Sequence, residues 1–234
     1  MWEVRFFGVD DKSFKFLQDL TSENFSKQEH NLKGNNFIEY FINIKSYDNE
    51  EATKILEIAE KELKIYVTLL KLNGYKSNLK VDHPCKINED GTRMVYMFFE
   101  DKINITASIE VKANGEILYS SYDDKITNNK KLLNNSLENE IKKELFMLLG
   151  YEENWINAYK IYEILKQHYK NEKKLKKIDE LSSFAHSANS PNAIGIGNAR
   201  HAVQPQQSPK KIANLPASYK KLIELSLEFI KQNV

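Results

Sequence analysis

The sequence predicts an α+β fold: a mainly antiparallel sheet with a covering helix, followed by an all-α four-helix domain. Three observations predict it. Before residue 124, apolar residues alternate with polar ones in several short runs. Beyond residue 135, apolar residues recur at helical spacing instead. Between the two regimes lies a polar, Asn-rich stretch at 122–135, YDDKITNNKKLLNN, which reads as the boundary. The parts are then an α+β sheet domain at 1–124 and a basic four-helix domain at 136–234, the latter carrying a long loop at 188–216.

The elements follow in order. Residues 2–9 (WEVRFFGV) read as a strand and 12–20 (KSFKFLQDL) as a short helix. In 37–45, Ile38, Tyr40, Ile42 and Ile44 fall on one face, with Glu39 and Asn43 on the other. Residues 50–73 give a helix through the stripe Ile55, Ala59, Leu63, Tyr66, Val67 and Leu70, ended by Gly74. Runs 79–87 and 92–99 flank the hairpin signal Asn88-Glu89-Asp90-Gly91. Because 92–99 is apolar on both faces, it is expected at the centre of the sheet. Residues 103–111 alternate (Ile103, Ile105, Ala107, Ile109 and Val111 inward), and Asn114-Gly115 turns into a last strand at 116–120. In the second half, Asn135 with Glu138 resembles a capping box for a helix at 136–149 with the stripe Leu137, Ile141, Leu145 and Leu148. Residues 153–170 are apolar around much of the cylinder, as a central bundle helix would be. Further helices are expected at 174–187 and 217–232, with Pro216 near the first turn of the last.

Composition narrows the classes. The 234 residues include twelve Phe and twelve Tyr, enough for a core and too many for a disordered chain. No apolar run is long enough to span a membrane. Met1-Trp2-Glu3-Val4-Arg5 lacks the character of a signal peptide, and a cytoplasmic location is expected. Cys85 is the sole cysteine, which excludes a disulfide scaffold and a Cys-built zinc site. The five His form no i,i+4 pair with acidic neighbours, so no metal is expected. Gly195-Ile196-Gly197 lacks the strand, third glycine and acidic residue of a dinucleotide fingerprint. No cofactor is implied.

Charge is uneven. Residues 1–124 carry 16 Lys/Arg against 22 Asp/Glu, and residues 125–234 carry 18 against 11. The second half is therefore where a polyanion would be attracted, although two oppositely charged halves would also attract each other. Only Arg5, Arg93 and Arg200 are arginine among 34 basic residues. In a chain so biased to Lys, a retained Arg points to use of the planar, five-donor fork. Arg200 is the one Arg of the basic half.

Arg200 lies in the loop with Asn189, Gly195, Gly197, Asn198 and His201, just past His186. These residues read as an anion site. Glycines let backbone approach a ligand, Arg200 grips phosphate in two-pronged fashion, and a His titrates near neutrality. In the other reading the loop lies across the bundle, and Arg200 bonds helix C-terminal carbonyls. Six Lys in 166–177, with Lys173, Lys174 and Lys177 at the core of the cluster, form either a phosphate-tracking patch beside Tyr169 or a solvated helix end. The expected partner is RNA, DNA or a nucleotide. The alternative functions are a metal-independent ribonuclease using His186, Arg200 and His201, and a protein–protein adaptor acting through a sheet edge or the central helix. The basic helical composition resembles the HEPN-type ribonucleases. Those carry Arg and His on one helix with spacer residues between, whereas Arg200 and His201 are adjacent in a Pro/Gly-rich loop.

Three segments carry a resemblance of pattern: Met1-Trp2 in its strand, the helix Asn154-Trp155-x3-Tyr159-Lys160-Ile161-Tyr162-Glu163-Ile164, and Ala188-Asn189-Ser190-Pro191 followed by Ala199-Arg200-His201-Ala202. Together they resemble a group of uncharacterised bacterial and phage-borne proteins of similar length. The resemblance implies a bacterial setting, with a role in a defence or phage-encoded assembly, and no particular reaction.

Overall fold

The computed structural model describes residues 1–32, 35–76, 78–98, 122–169, 175, 177–203 and 207–232. The chain forms an α+β fold and divides into two compact units, Met1–Lys130 and Lys131–Val234. The strands expected at 103–111 and 116–120, with the Asn114-Gly115 turn, lie outside the described residues.

In the first unit the described strands are β1 (Trp2–Phe7), β2 (Phe25–Leu32), β3 (Asn35–Ile44), β4 (Lys80–Ile87) and β5 (Arg93–Val95). They form one antiparallel sheet in the order β2-β3-β1-β4-β5. Two helices, α1 (Asp11–Leu20) and α2 (Ala52–Leu72), supply apolar partners for one face. On β1, alternation sends Trp2, Val4 and Phe6 into that core, all at most 1% exposed. Ile42, Ile44, Phe14, Leu17, Ile55, Ala59 and Leu63 join them. Phe25 meets Phe6 and Tyr66 edge-on, at 5.9 and 4.7 Å between centroids. The opposite face carries charge. Arg5 on β1 pairs with Glu39 of β3 and Asp82 of β4, each at 3.2 Å. Arg93 of β5 pairs with the buried Glu3 at 2.9 Å and lies over the Phe41 ring.

Local chemistry explains the element ends. The Asp10 carboxylate accepts from the Ser13 amide at 2.6 Å and caps α1. Pro84 cannot donate to the ladder, and the β1–β4 register shifts between Val4 and Phe6, where Val4 faces Pro84. Asn88 and Thr92 close the β4–β5 hairpin, with Gly91 at φ +80°.

In the second unit, α4 (Glu140–Leu149), α5 (Trp155–His168) and α8 (Leu215–Lys231) are the longer helices. Between α5 and α8 lie a 3-10 turn (Asp179–Leu181), α6 (Phe184–Ala188) and α7 (Pro191–Ile194). α5 packs against α4, α6 and α8. Asn139, Asn154 and Asn214 each accept from the amide three residues on, capping α4, α5 and α8. Lys142 is fully buried, and its ammonium donates to the Gln232 carbonyl at the end of α8 and to Glu138.

Several expectations are corrected. β2 has no counterpart in the sequence reading. The stretch 122–135, read as the boundary, contains the division between the units at Lys130/Lys131 but is itself most of a helix, α3 (Tyr122–Leu137), in which Asn129, Leu132, Leu133 and Ser136 are buried. Asn129 exchanges amide hydrogen bonds with Asn73 at 2.8 and 3.1 Å, so polar residues hold a helix that its apolar content does not announce. The break after Leu137 moves the cap from Asn135 to Asn139 and resets the helical phase. Leu137 and Ile141 therefore sit 47% and 56% exposed, while Leu145, Phe146, Leu148 and Leu149 are buried. Of the helix expected at 174–187, residues 174 and 176 lie outside the described residues, Leu175 is helical, and the later part is broken into the 3-10 turn and α6. Part of the 188–216 loop is α7. β5 is the last strand of the described sheet, with Met94 and Val95 half exposed; the strands expected to follow it at 103–111 and 116–120 lie outside the described residues. Ile38, expected inward, is 38% exposed near the end of the β2–β3 hairpin.

The first unit can be tested at two positions. At Gly8, φ is +85° and an added Cβ would meet the Asn78 carbonyl oxygen at 2.0 Å, whereas Gly91 has open space. Gly8→Ala is expected to cost ~2–4 kcal/mol in urea unfolding and Gly91→Ala about 1 kcal/mol. Equal losses would show that the Gly8–Asn78 approach is not maintained. Separately, burial, then a hydrogen bond from its hydroxyl to the Asp11 carboxylate at 2.8 Å, pushes the Tyr40 phenol up to about 12. The folded phenol holds its proton above the unfolded value of 10.0, so this stabilisation is complete below that pH and is lost as pH rises through about 12. Tyr40→Phe should flatten this alkaline decline in stability. An unchanged profile would remove Tyr40 as its source.

Candidate functional site

The candidate site is built on α5. Its residues Tyr159 and Glu163 are four apart and so share a face of the helix. Arg200 lies over both. Its guanidinium carbon is 4.8 Å from the Tyr159 ring centroid. Nη1 donates to the Tyr159 hydroxyl at 3.4 Å, and Nη2 meets the Glu163 carboxylate at 3.2 Å. The Arg200 backbone amide donates to the Ala188 carbonyl at 2.9 Å, which pins the loop to the end of α6. The Arg200 fork is thus bonded to side chains of α5, and among the described residues to no helix C-terminal carbonyl. Its side chain is 43% exposed and that of Glu163 39%.

Asn189 reaches the same hydroxyl. Its Nδ2 donates to Tyr159 at 3.4 Å and to the Ala185 carbonyl at 2.8 Å. Its carbonyl oxygen is buried without a hydrogen-bond donor among the described residues. The site therefore offers N–H donors on a partly exposed cation with a carboxylate beside it, and the Asn189 carbonyl oxygen lies buried next to them. Behind Tyr159 runs an aromatic column: Tyr162 at 5.9 Å, then Phe184 at 5.6 Å, stacked in turn on Trp155 at 5.7 Å. Tyr162 and Phe184 are at most 1% exposed, so the platform under Arg200 is rigidly backed.

The other residues singled out from sequence lie around this centre. The His186 Nε2–H donates to the Gln207 carbonyl at 2.7 Å; a carbonyl can only accept, which places the proton on Nε2. Ser187, fully buried, donates to the Ser183 carbonyl and accepts from the Ala213 amide, fastening the return of the loop. Asn198 donates to the Ile194 carbonyl and closes the turn after α7. His201 is exposed. Among the described residues no hydrogen bond joins His186, Arg200 and His201 to one another. Lys177 is exposed, while Lys173 and Lys174 lie outside the described residues. Tyr169 is half-buried with its ring edge-on to His168 at 5.2 Å, and burial raises its phenol above the ordinary range. Sequence reasoning missed Glu163 and the role of Tyr159. The only signal was their i,i+4 spacing on a helix otherwise read as core.

No known protein family, curated protein or solved structure matches the chain. Among the described residues, no group of three His, Cys, Asp or Glu side chains is placed to hold a metal ion, and no helix is long and apolar enough to cross a membrane.

Limited proteolysis is expected to cut first between Gly195 and Val203, where Ile196 and Val203 are 70% and 78% exposed. Arg200→Ala removes the interactions with Tyr159 and Glu163, each worth up to about 1 kcal/mol at an exposed site, and should speed that cut several-fold. An unchanged rate would show that the side chain does not hold the loop. A first cut inside α2 would contradict the packing described.

Proposed function

We propose that the helical unit binds a phosphate-bearing ligand, a nucleotide or a nucleic acid, at the face of α5 covered by Arg200. The observation that carries this reading is the state of the Arg200 fork. It is stacked on a backed aromatic ring, its side chain is 43% exposed, and among the described residues two of its five N–H donors are engaged. A guanidinium so held is oriented before a ligand arrives, which lowers the ordering cost of binding. The surroundings favour an anion at long range. Residues 131–234 carry 16 Lys/Arg against 11 Asp/Glu, a net +5. The exposed Glu163 carboxylate beside the fork adds an acceptor for a ligand N–H or O–H, which a nucleotide supplies and fully ionised inorganic phosphate does not.

The reading is tested by titrating the protein with RNA, DNA and nucleotides at low salt. Arg200→Lys keeps the charge but loses the fork and should weaken binding about 10-fold with little change in salt slope. Neutralising Lys173, Lys174, Lys176 and Lys177 together should lower the log–log salt slope by ~0.7–0.9 for each phosphate that they neutralise in the wild type. Glu163→Gln frees Arg200 from its intramolecular carboxylate and should raise affinity for a simple polyanion ~2- to 5-fold. Failure of the wild type to bind any polyanion at low salt would end this reading.

A further inference from the structure

We propose that the chain pairs with a second copy of itself along β2, antiparallel about a two-fold axis at Gln28, so that two five-stranded sheets join into one. β2 is the outer strand of the described sheet, and among the described residues it pairs with β3 alone. Among the described residues no strand pairs with its far side, where alternate residues direct backbone N–H and C=O groups outward. Such an edge accepts another strand unless something guards it.

The usual guards are missing or work in reverse here. The strand contains no Pro, and its register with β3 runs unbroken from Phe25↔Ile42 to Leu32↔Asn35. The edge is thus regular over eight residues. Its charges are Lys27 and Glu29, one on each side of Gln28, 2.8 Å apart with side chains 42% and 69% exposed. A guard of one sign would repel a second copy. Antiparallel pairing about Gln28 instead sets Lys27 against the partner's Glu29 and Glu29 against the partner's Lys27. All four charges then lie on one face of the joined sheet, each next to its opposite both along and across the strands. The other pairs are Ser26 with the partner's His30 and Phe25 with the partner's Asn31, so no like charges meet. Residues facing each other about this axis are both even or both odd in number. Both therefore present, or both withhold, their outward backbone groups, as an antiparallel ladder requires.

A charge swap tests the register. The 234-residue wild-type chain, 27.3 kDa as a monomer, is expected to sediment as a dimer at high concentration. Lys27→Glu places Glu against Glu in both cross-strand pairs, and Glu29→Lys places Lys against Lys. Each single variant should weaken the dimer on the order of 10- to 100-fold. Mixing the two singles pairs the all-acidic edge with the all-basic one and should restore a dimer, now a heterodimer. The Lys27→Glu/Glu29→Lys double variant should restore the homodimer. Both restorations also control for misfolding of the singles. A wild type that stays monomeric up to its solubility limit would overturn the proposal. So would a dimer that neither single variant weakens, or single variants that form no heterodimer on mixing.

Discussion

The first unit depends on β1 having both of its faces and both of its edges occupied. Trp2, Val4 and Phe6 take the core face, and Glu3 and Arg5 take the other. On its edges it pairs with β3 and β4 along most of its length. A strand so placed fixes register on two sides at once, because a one-residue slip would drive Glu3 and Arg5 into the apolar layer. The charged face then acts as a second lock. Arg5 spans from β3 to β4 through Glu39 and Asp82, and Arg93 ties β5 to the buried Glu3. Removing Arg93 would leave a nearly buried carboxylate without its cation, which costs more than the pair itself contributes.

All three arginines use the same geometry. Each meets at least one carboxylate, and Arg93 and Arg200 also lie over aromatic rings, Phe41 and Tyr159. Retention of Arg in a Lys-rich chain is thus explained by the planar fork in every case, including the two that only brace a sheet. What separates Arg200 is its surroundings. Its carboxylate sits one helical turn from the ring it stacks on, its unit is net positive, and an unused buried acceptor lies beside the same tyrosine.

The sequence was legible where burial wrote a period into it. α1, α2, β1, β3, β4 and α8 lie close to where alternation or helical stripes put them, because each buries one clear apolar face. β2 escaped because FSKQEHNL lies at an edge of the described sheet and shows no apolar alternation, although Phe25 reaches the core. α3 escaped because its buried positions include Asn129 and Ser136, whose partners are hydrogen bonds and not apolar contacts. The site was half legible. Arg200 stood out by composition, and Asn189 by its place in the loop. Tyr159 and Glu163 are 41 and 37 positions from Arg200, and no local pattern reports a contact that packing alone creates.

Glu163 shapes what the proposed site would prefer. A carboxylate 3.2 Å from the cation competes with any anion for the same donors, and both charges are exposed enough that water and salt weaken the pair. A ligand that brings only acceptors must displace Glu163 and then meets it as a like charge. A ligand that brings N–H or O–H donors as well can take donors from Arg200 and give one to Glu163. Discrimination then arises from the group left unpaired when the wrong ligand binds, which is the stronger form of selectivity for a site lined with buried polar atoms. The carboxylate is therefore not an obstacle to the proposed binding. In the binding proposed above it would turn a general anion site into one suited to a nucleotide, whose base and sugar supply the donors that a bare phosphate lacks.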